Sequence, residues 1–403
     1  MESRAPFDTL CDLREKYPGD ELSQNYALTT QIPTRSRRQT RKLHAYSDPS
    51  DREEFALDAA IVVARHLLAA ADGQYRQMKR ETHLTRLLWA DFSDPEGSDA
   101  QEEARNSILE SYKKNPDVAS VTFYSVMESK EMRDILWSLP AFQLWHPTVM
   151  AKKEGTKKWE KANIEDPARL SKEALIIYNG TGDLGEHISK KFGIFLKDGI
   201  VQCWRSNEAV AIRVFYTNTA QTAGPKKWKD LREIWVRSPG AREVVDENGD
   251  ITRRFDPTGG PPKRYILLAT VYLGAWKDEA DRVRLYGADG EYVPLPTAAL
   301  PYTGIEWRLG NPGDRYLLYY RLATLASPAG GSDLEVVIYP SGMKQKMARM
   351  KAAATLKPEV LAQLEASSGQ TPSGAGDGGS GSNVGLPLPL PDTAPPTPAQ
   401  QTT

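Results

Sequence analysis

The chain has 403 residues and a net charge of −1, with 40% hydrophobic and 26% charged residues. It is long enough for one large domain or two ordinary ones with a substantial core. Its balanced charge offers no global field to attract nucleic acid or an anionic membrane, so neither is expected as a partner. Two cysteines, Cys11 and Cys203, lie far apart, which argues against a disulfide framework. The first residues have no apolar signal-peptide core, and no stretch approaches the roughly 20 apolar residues of a bilayer span. A soluble, cytoplasmic protein is the expectation.

Residues 1–50 read as a polar, largely irregular arm with a short helix around Asp8–Tyr17. Within it, Arg35-Ser-Arg37-Arg38-Gln-Thr-Arg41-Lys42 is a basic cluster free of acids. It reads as a solvated loop or, alternatively, as a nuclear-import signal. From Ser50 the text turns helical. Acids at 51, 53 and 54 suit a first helical turn, and Phe55, Ala59, Val62, Val63 and Leu67 recur at three-to-four-residue spacing as one apolar face. A second helix is predicted from Tyr75 to Trp89 and a third over 99–114. His66 and His83 have no partners at metal-ligand spacing and read as ordinary helix residues. Within 118–126, Val-Ala-Ser-Val-Thr-Phe-Tyr has the β-branched and aromatic content of a strand, and 128–138 reads as helix. From Pro140 to Pro167 the sequence is aromatic and irregular.

Residues 174–216 carry the densest apolar pattern. Ala174–Tyr178 reads as a strand, followed by Gly180-x-Gly182-x-x-Gly185 and a helix from Leu184 to Leu196. This is the wording of a dinucleotide-binding turn, so Gly180, Gly182 and Gly185 are the candidate cofactor residues, with NADP or another nucleotide as ligand. Such a site also needs a parallel second strand bearing an acid for the ribose. Ile200–Arg205 stands at that distance but offers Arg205-Ser206, and its short link to Ala209–Tyr216 implies an antiparallel return. Asp183 and Glu186, at capping-box spacing, would occupy the helix N–H groups that a phosphate needs. The capped turn is the favoured reading, with no cofactor. A Cys203–His187 thiol–imidazole pair lacks any orienting third group, and Cys203 reads as a buried, inert thiol.

The remainder is strand-like. Trp228–Trp235 reads as an amphipathic helix docked through Trp228, Leu231 and Trp235. Asn248-Gly249 marks a hairpin, and Tyr265, Leu267, Ala269, Val271 and Leu273 form the apolar face of a central strand. A further hairpin over 283–295 and strands at Tyr316–Leu322 and Leu334–Tyr339 complete the set. A Met- and Lys-bearing helical pattern covers 341–366, counted as a C-terminal helix over 346–366. From 367 to 403 the Pro/Gly/Ser/Thr composition is that of a disordered tail.

The predicted fold class is α+β: a helical N-terminal half packed with a mixed, mostly antiparallel sheet. It forms one unit over 51–345, with 51–170 and 171–345 as its halves. The function expected is that of a non-catalytic protein-interaction or scaffold protein. Partners would be met through 341–366 or the proline-rich tail; the alternative is a nucleotide-binding protein or enzyme using the glycine turn.

Overall fold

The computed structural model describes residues 10–17, 335–337 and, with short breaks of which the longest is 294–306, residues 49–323. The basic cluster 35–42, the 341–366 pattern and the proline-rich tail lie outside the described residues. Met1–Pro340 forms one compact unit, distinct from Ser341–Thr403, and all the described residues belong to it. The fold is α+β, and among the described residues its sheet pairing is antiparallel except for one parallel pair.

The helical layer is built around α2 (Pro49–Ala70), which follows α1 (Leu13–Lys16). The sequence assigns α2 a single apolar face, yet it is buried on nearly every side from Phe55 to Ala70. Its buried polar residues meet partners on neighbouring elements: Arg105 pairs with Asp58 at 2.9 Å, and the Arg65 guanidinium donates to the Ala90 carbonyl and lies over the Phe92 ring. A helix apolar on one side only would rest on the surface; this one is the centre of its layer. Around it stand α3 (His83–Trp89), α4 (Ser98–Lys114) and α5 (Phe123–Met127). Of the strand predicted near 118–126, residues 118–119 lie outside the described residues, and the rest forms no strand but leads into α5 at Phe123. Thr122 and Ser125 form a reciprocal capping box, which satisfies the helix N–H groups locally and outweighs the β propensity of the segment. The chain continues through α6 (Lys130–Met132), a π turn over Arg133–Trp137 and a 3₁₀ turn over Pro140–Phe142.

The region expected to be irregular, 140–167, holds two strands, β1 (Thr148–Lys153) and β2 (Glu160–Asn163), before α7 (Pro167–Glu173). Then come β3 (Ile176–Tyr178), α8 (Leu184–Ser189), β4 (Gly193–Lys197), β5 (Ile200–Trp204) and β6 (Ala211–Thr217). The predicted helix Trp228–Trp235 divides into α9 (Trp228–Leu231) and β7 (Glu233–Val236). The predicted Asn-Gly hairpin corresponds to β8 (Gly240–Val245) and β9 (Ile251–Asp256), paired antiparallel. The last strands are β10 (Lys263–Leu273), β11 (Arg282–Leu285) and β12 (Arg315–Leu322). No strand is assigned at the described residues 335–337 of the segment predicted as Leu334–Tyr339.

One sheet runs β11-β10-β12-β6-β3, with β7 also on β10; a second runs β2-β1-β5-β4. The larger sheet is a wall with a core on each face. Ala211 and Phe215 of β6 and Leu317 and Tyr319 of β12 face the helical layer, while Ile212, Val214, Tyr216, Tyr316, Leu318 and Tyr320 face an aromatic cluster. The β10 residues predicted to share one face do not. A register shift between Leu267 and Ala269 leaves Tyr265 and Leu267 with the aromatic cluster and turns Ala269, Val271 and Leu273 toward the helices. One extra residue inverts the alternation of a strand. Among the described residues, no helix is long and apolar enough to cross a membrane.

Candidate functional site: the glycine turn and the edge strand that follows it

Between β3 and β4 the chain makes a tight, heavily braced turn. Gly180 and Gly182 adopt positive φ (85° and 75°), which glycine does without a side-chain penalty. The Asn179 carboxamide accepts from the Thr181 N–H at 3.1 Å, and the Tyr178 hydroxyl donates to the Gly182 carbonyl at 2.7 Å. Asp183 is the N-cap of α8, its Oδ1 accepting from the Glu186 N–H at 2.8 Å. At Gly185, a Cβ would fall well inside contact distance of the Trp235 carbonyl oxygen and 3.0 Å from the Trp235 nitrogen, so this glycine allows α8 to lie against β7. Ser189 completes the brace, donating to the Gly185 carbonyl at 2.6 Å and accepting from Arg237 N–H at 2.9 Å.

Gly180, Gly182 and Gly185 thus lie in one strand–turn–helix, but the strand predicted to follow it is elsewhere. The parallel neighbour of β3 is β6, whereas β5 belongs to the other sheet, and the antiparallel return of β6 on β5 is not formed. The physical reason lies at Arg205–Val210: Trp145 bridges to Ser206, and the Asn207 and Val210 N–H groups donate to Leu144 and Ala141, so the chain changes sheets there. Where a ribose-binding acid would stand beyond β6, Asn218 is buried and donates to the Gly310 carbonyl at 2.6 Å.

His187 and Cys203 are each engaged separately. The His187 ring is hydrogen-bonded through Nε2 to the Ile177 carbonyl, and Cys203 is buried on β5 between Met150 and Ile194, where burial pushes its thiol up to about 11. A thiol so raised stays protonated at neutral pH and is a poor nucleophile. His66 contacts the Tyr286 carbonyl at 2.9 Å, and no group of three or more His, Cys, Asp or Glu among the described residues is placed to hold a metal.

The predicted amphipathic helix around Trp228 is also corrected in its faces. Trp228 packs on the Tyr286 ring at 4.9 Å between centroids and Leu231 is buried, but Trp235 sits on β7 and is 52% exposed. In a helix these residues share a stripe; in a strand Trp235 falls on the face opposite Ile234 and Val236, which are buried.

The feature that sequence reasoning missed is β4. The helix predicted to run from Leu184 to Leu196 ends at Ser189, and Ile194, Phe195 and Leu196 lie on the outer edge of the four-stranded sheet. They are 49%, 41% and 61% exposed, with Ile200 of β5 at 41% beside them. Because side chains alternate along a strand, Ile194 and Leu196 project from one face and Phe195 from the other. Ile200, which sits two residues from Gln202, the β5 partner of Phe195, shares the Phe195 face. The chemical capacity of such an edge is backbone pairing with another strand, with side chains to bury on both faces. The signal that could have found it is Asp198-Gly199, a hairpin dipeptide between two short apolar runs.

No family model and no curated protein matches this chain. Among solved structures, the Saccharomyces cerevisiae PAN2 pseudoubiquitin-hydrolase is similar at 10% identity and a TM-score of 0.30, covering 80% of this chain and 92% of that one. The Saccharomyces cerevisiae apo Pan2 pseudoubiquitin hydrolase-RNA exonuclease module in complex with AACCAA RNA is similar at 9% identity and a TM-score of 0.23. That match covers 70% of this chain and 46% of the other, so the chain spans about half the length of that module. Similarity of this degree carries no argument about function.

Proposed function

We propose that this is a non-catalytic protein-interaction or scaffold protein, working in the cytoplasm, whose structured unit receives an extended polypeptide on the β4 edge. The observation that carries the reading is the run Ile194-Phe195-Leu196, exposed on a sheet edge with which no described strand pairs. Edge strands in monomeric proteins are ordinarily blunted by charge, proline or a bulge, and an apolar edge left open is a template for another strand. Further docking segments under this reading are residues 341–366 and the proline-rich tail, and the basic cluster 35–42 supplies a route into the nucleus. Proximity labelling in cells tests it: neighbours labelled by the native chain should be lost when Ile194 and Leu196 are both changed to Lys. An unchanged set of neighbours would remove the edge from the proposal.

A second reading keeps Gly180, Gly182 and Gly185 as the turn of an NADP or other nucleotide site. It is favoured by the positive-φ glycines and by the parallel β3–β6 pair that the turn serves. The Asp183 carboxylate opposes it, because it already accepts from the Glu186 N–H of α8 and would repel a phosphate there. Isothermal titration with NADP(H), NAD(H) and ATP separates the two. Binding abolished by Gly182→Asp supports the nucleotide reading, and the absence of heat with all of them ends it.

A further inference from the structure

The two edges of the four-stranded sheet are built differently. At one edge, β2 presents the exposed charges Glu160 and Lys161, a common protection against strand addition. At the other, β4 carries no proline, and its single charged residue is Lys197 at the strand's end; its pairing with β5 is in unbroken register. A strand added to β4 must therefore bring apolar side chains to both faces, because Ile194 and Leu196 are exposed on one and Phe195 on the other.

The sequence of β4 itself meets that demand. Laid antiparallel on a second β4 about an axis at Phe195, it sets Ile194 opposite Leu196 of the other copy and Phe195 opposite Phe195. Position 197, a lysine, then falls opposite Gly193, so the register brings no like charges face to face. Apolar pairs directly opposite one another on both faces are the unit of sheet stabilisation. The arrangement also closes on itself. Joining two four-stranded sheets through β4 leaves β2, the charged strand, at both outer ends, so that growth stops at two copies.

We propose that β4 is the self-association surface of this chain, pairing antiparallel with the β4 of a second copy about Phe195. The inference rests on the reading of β4 as an interaction edge and names its occupant. A five-residue strand pair is smaller than a standard stable interface, so the dimer forms reversibly and with concentration.

Sedimentation of the purified full chain, over about two orders of magnitude in concentration, should show a monomer–dimer equilibrium. Phe195→Lys, which sets two positive charges opposite each other on the axis, should weaken it about tenfold or more. Because Phe195 is 41% exposed, the variant should keep its far-UV circular dichroism. A second measurement does not depend on that variant. In a Cys11→Ser background, Phe195→Cys should give a disulfide-linked dimer on mild oxidation, since directly opposed Cβ atoms lie about 4.5–5.5 Å apart. Lys161→Cys, on the other edge, should not. A monomer at every concentration, a dimer indifferent to Phe195→Lys, or equal cross-linking from both edges would overturn the proposal. If the chain alone is monomeric while Ile194/Leu196 variants still lose neighbours in cells, the edge serves a foreign strand: the occupant named here is then wrong, and the interaction reading stands.

Discussion

His66 brings a neutral imidazole into the interior, where Nε2 donates to the Tyr286 carbonyl and ties α2 to the end of β11. Burial is the main cause of its pKa falling to about 4, below the ordinary 6.5. The sign follows from linkage. Between those values the unfolded chain binds a proton that the folded chain refuses, so the contribution of His66 is complete above about pH 6.5 and is lost as pH falls toward 4. At pH 5 the loss is about 2 kcal/mol. Urea unfolding at pH 7 and pH 5, compared between the native chain and His66→Gln, should show the variant losing less stability by about that amount. Comparing the two chains isolates the histidine from the partly buried carboxylates Glu128, Asp281 and Glu335, whose desolvation raises their pKa values and acts in the opposite direction. Asp91 lies outside the window. Burial works against its ionised form, but the hydrogen bonds from Lys16 and Ser93 outweigh it and hold the pKa at about 2.

At the level of the element, the three glycines of the turn divide by cause. Gly180 and Gly182 are needed for their positive φ, Gly185 for the close approach of α8 to β7. Gly185→Ala should therefore destabilise by roughly 1–3 kcal/mol, because the added methyl meets rigid backbone at Trp235. Gly182→Ala should cost about 1 kcal/mol, from conformation alone, since nothing lies within 4 Å of its Cβ. Equal costs in urea titrations would refute this division. The sequence made the turn, the Asp183 cap and the central strand β10 legible, because each rests on local chemistry. It did not reveal β4, which shares apolar spacing with a helix over its few residues, nor α5, where strand-like residues yield to the Thr122–Ser125 box. The β10 face was misread for a different reason: a bulge is written in the pairing with β12, and no residue within the strand announces it. The candidate site was half visible, the turn from its glycines and the edge only once sheet order was known.

For the unit as a whole, the larger sheet decides how stability is shared. Neighbouring residues of β6 and β12 enter opposite cores, so loss of the wall removes the packing surface of the helical layer and of the aromatic cluster together. On the aromatic side, Tyr178, Tyr216, Tyr316 and Tyr272 stand directly opposite one another on four adjacent strands, with ring centroids 5.6–5.8 Å apart. On the helical side, Arg213 of β6 is almost wholly buried and makes a two-oxygen pair with Glu128, just after α5, with NH1–O distances of 2.7 and 2.8 Å. It also donates to the Ser171 carbonyl, and its guanidinium lies 4.4 Å from the Trp137 ring centroid. Removing Glu128 strands that cation in the interior, at a cost of about 3–5 kcal/mol, whereas replacing both partners by apolar residues of similar volume costs much less. Glu128→Ala should therefore lower the midpoint of thermal unfolding sharply, and Glu128→Leu combined with Arg213→Met should recover most of the loss. The shared wall adds a stricter requirement. Far-UV circular dichroism, which follows the helical layer, and near-UV signals from the tyrosine row should move together in every variant, since one sheet supports both. A tyrosine transition that separates from the helical one would mean that the two faces unfold independently and that residues 51–170 and 171–345 behave as separate domains.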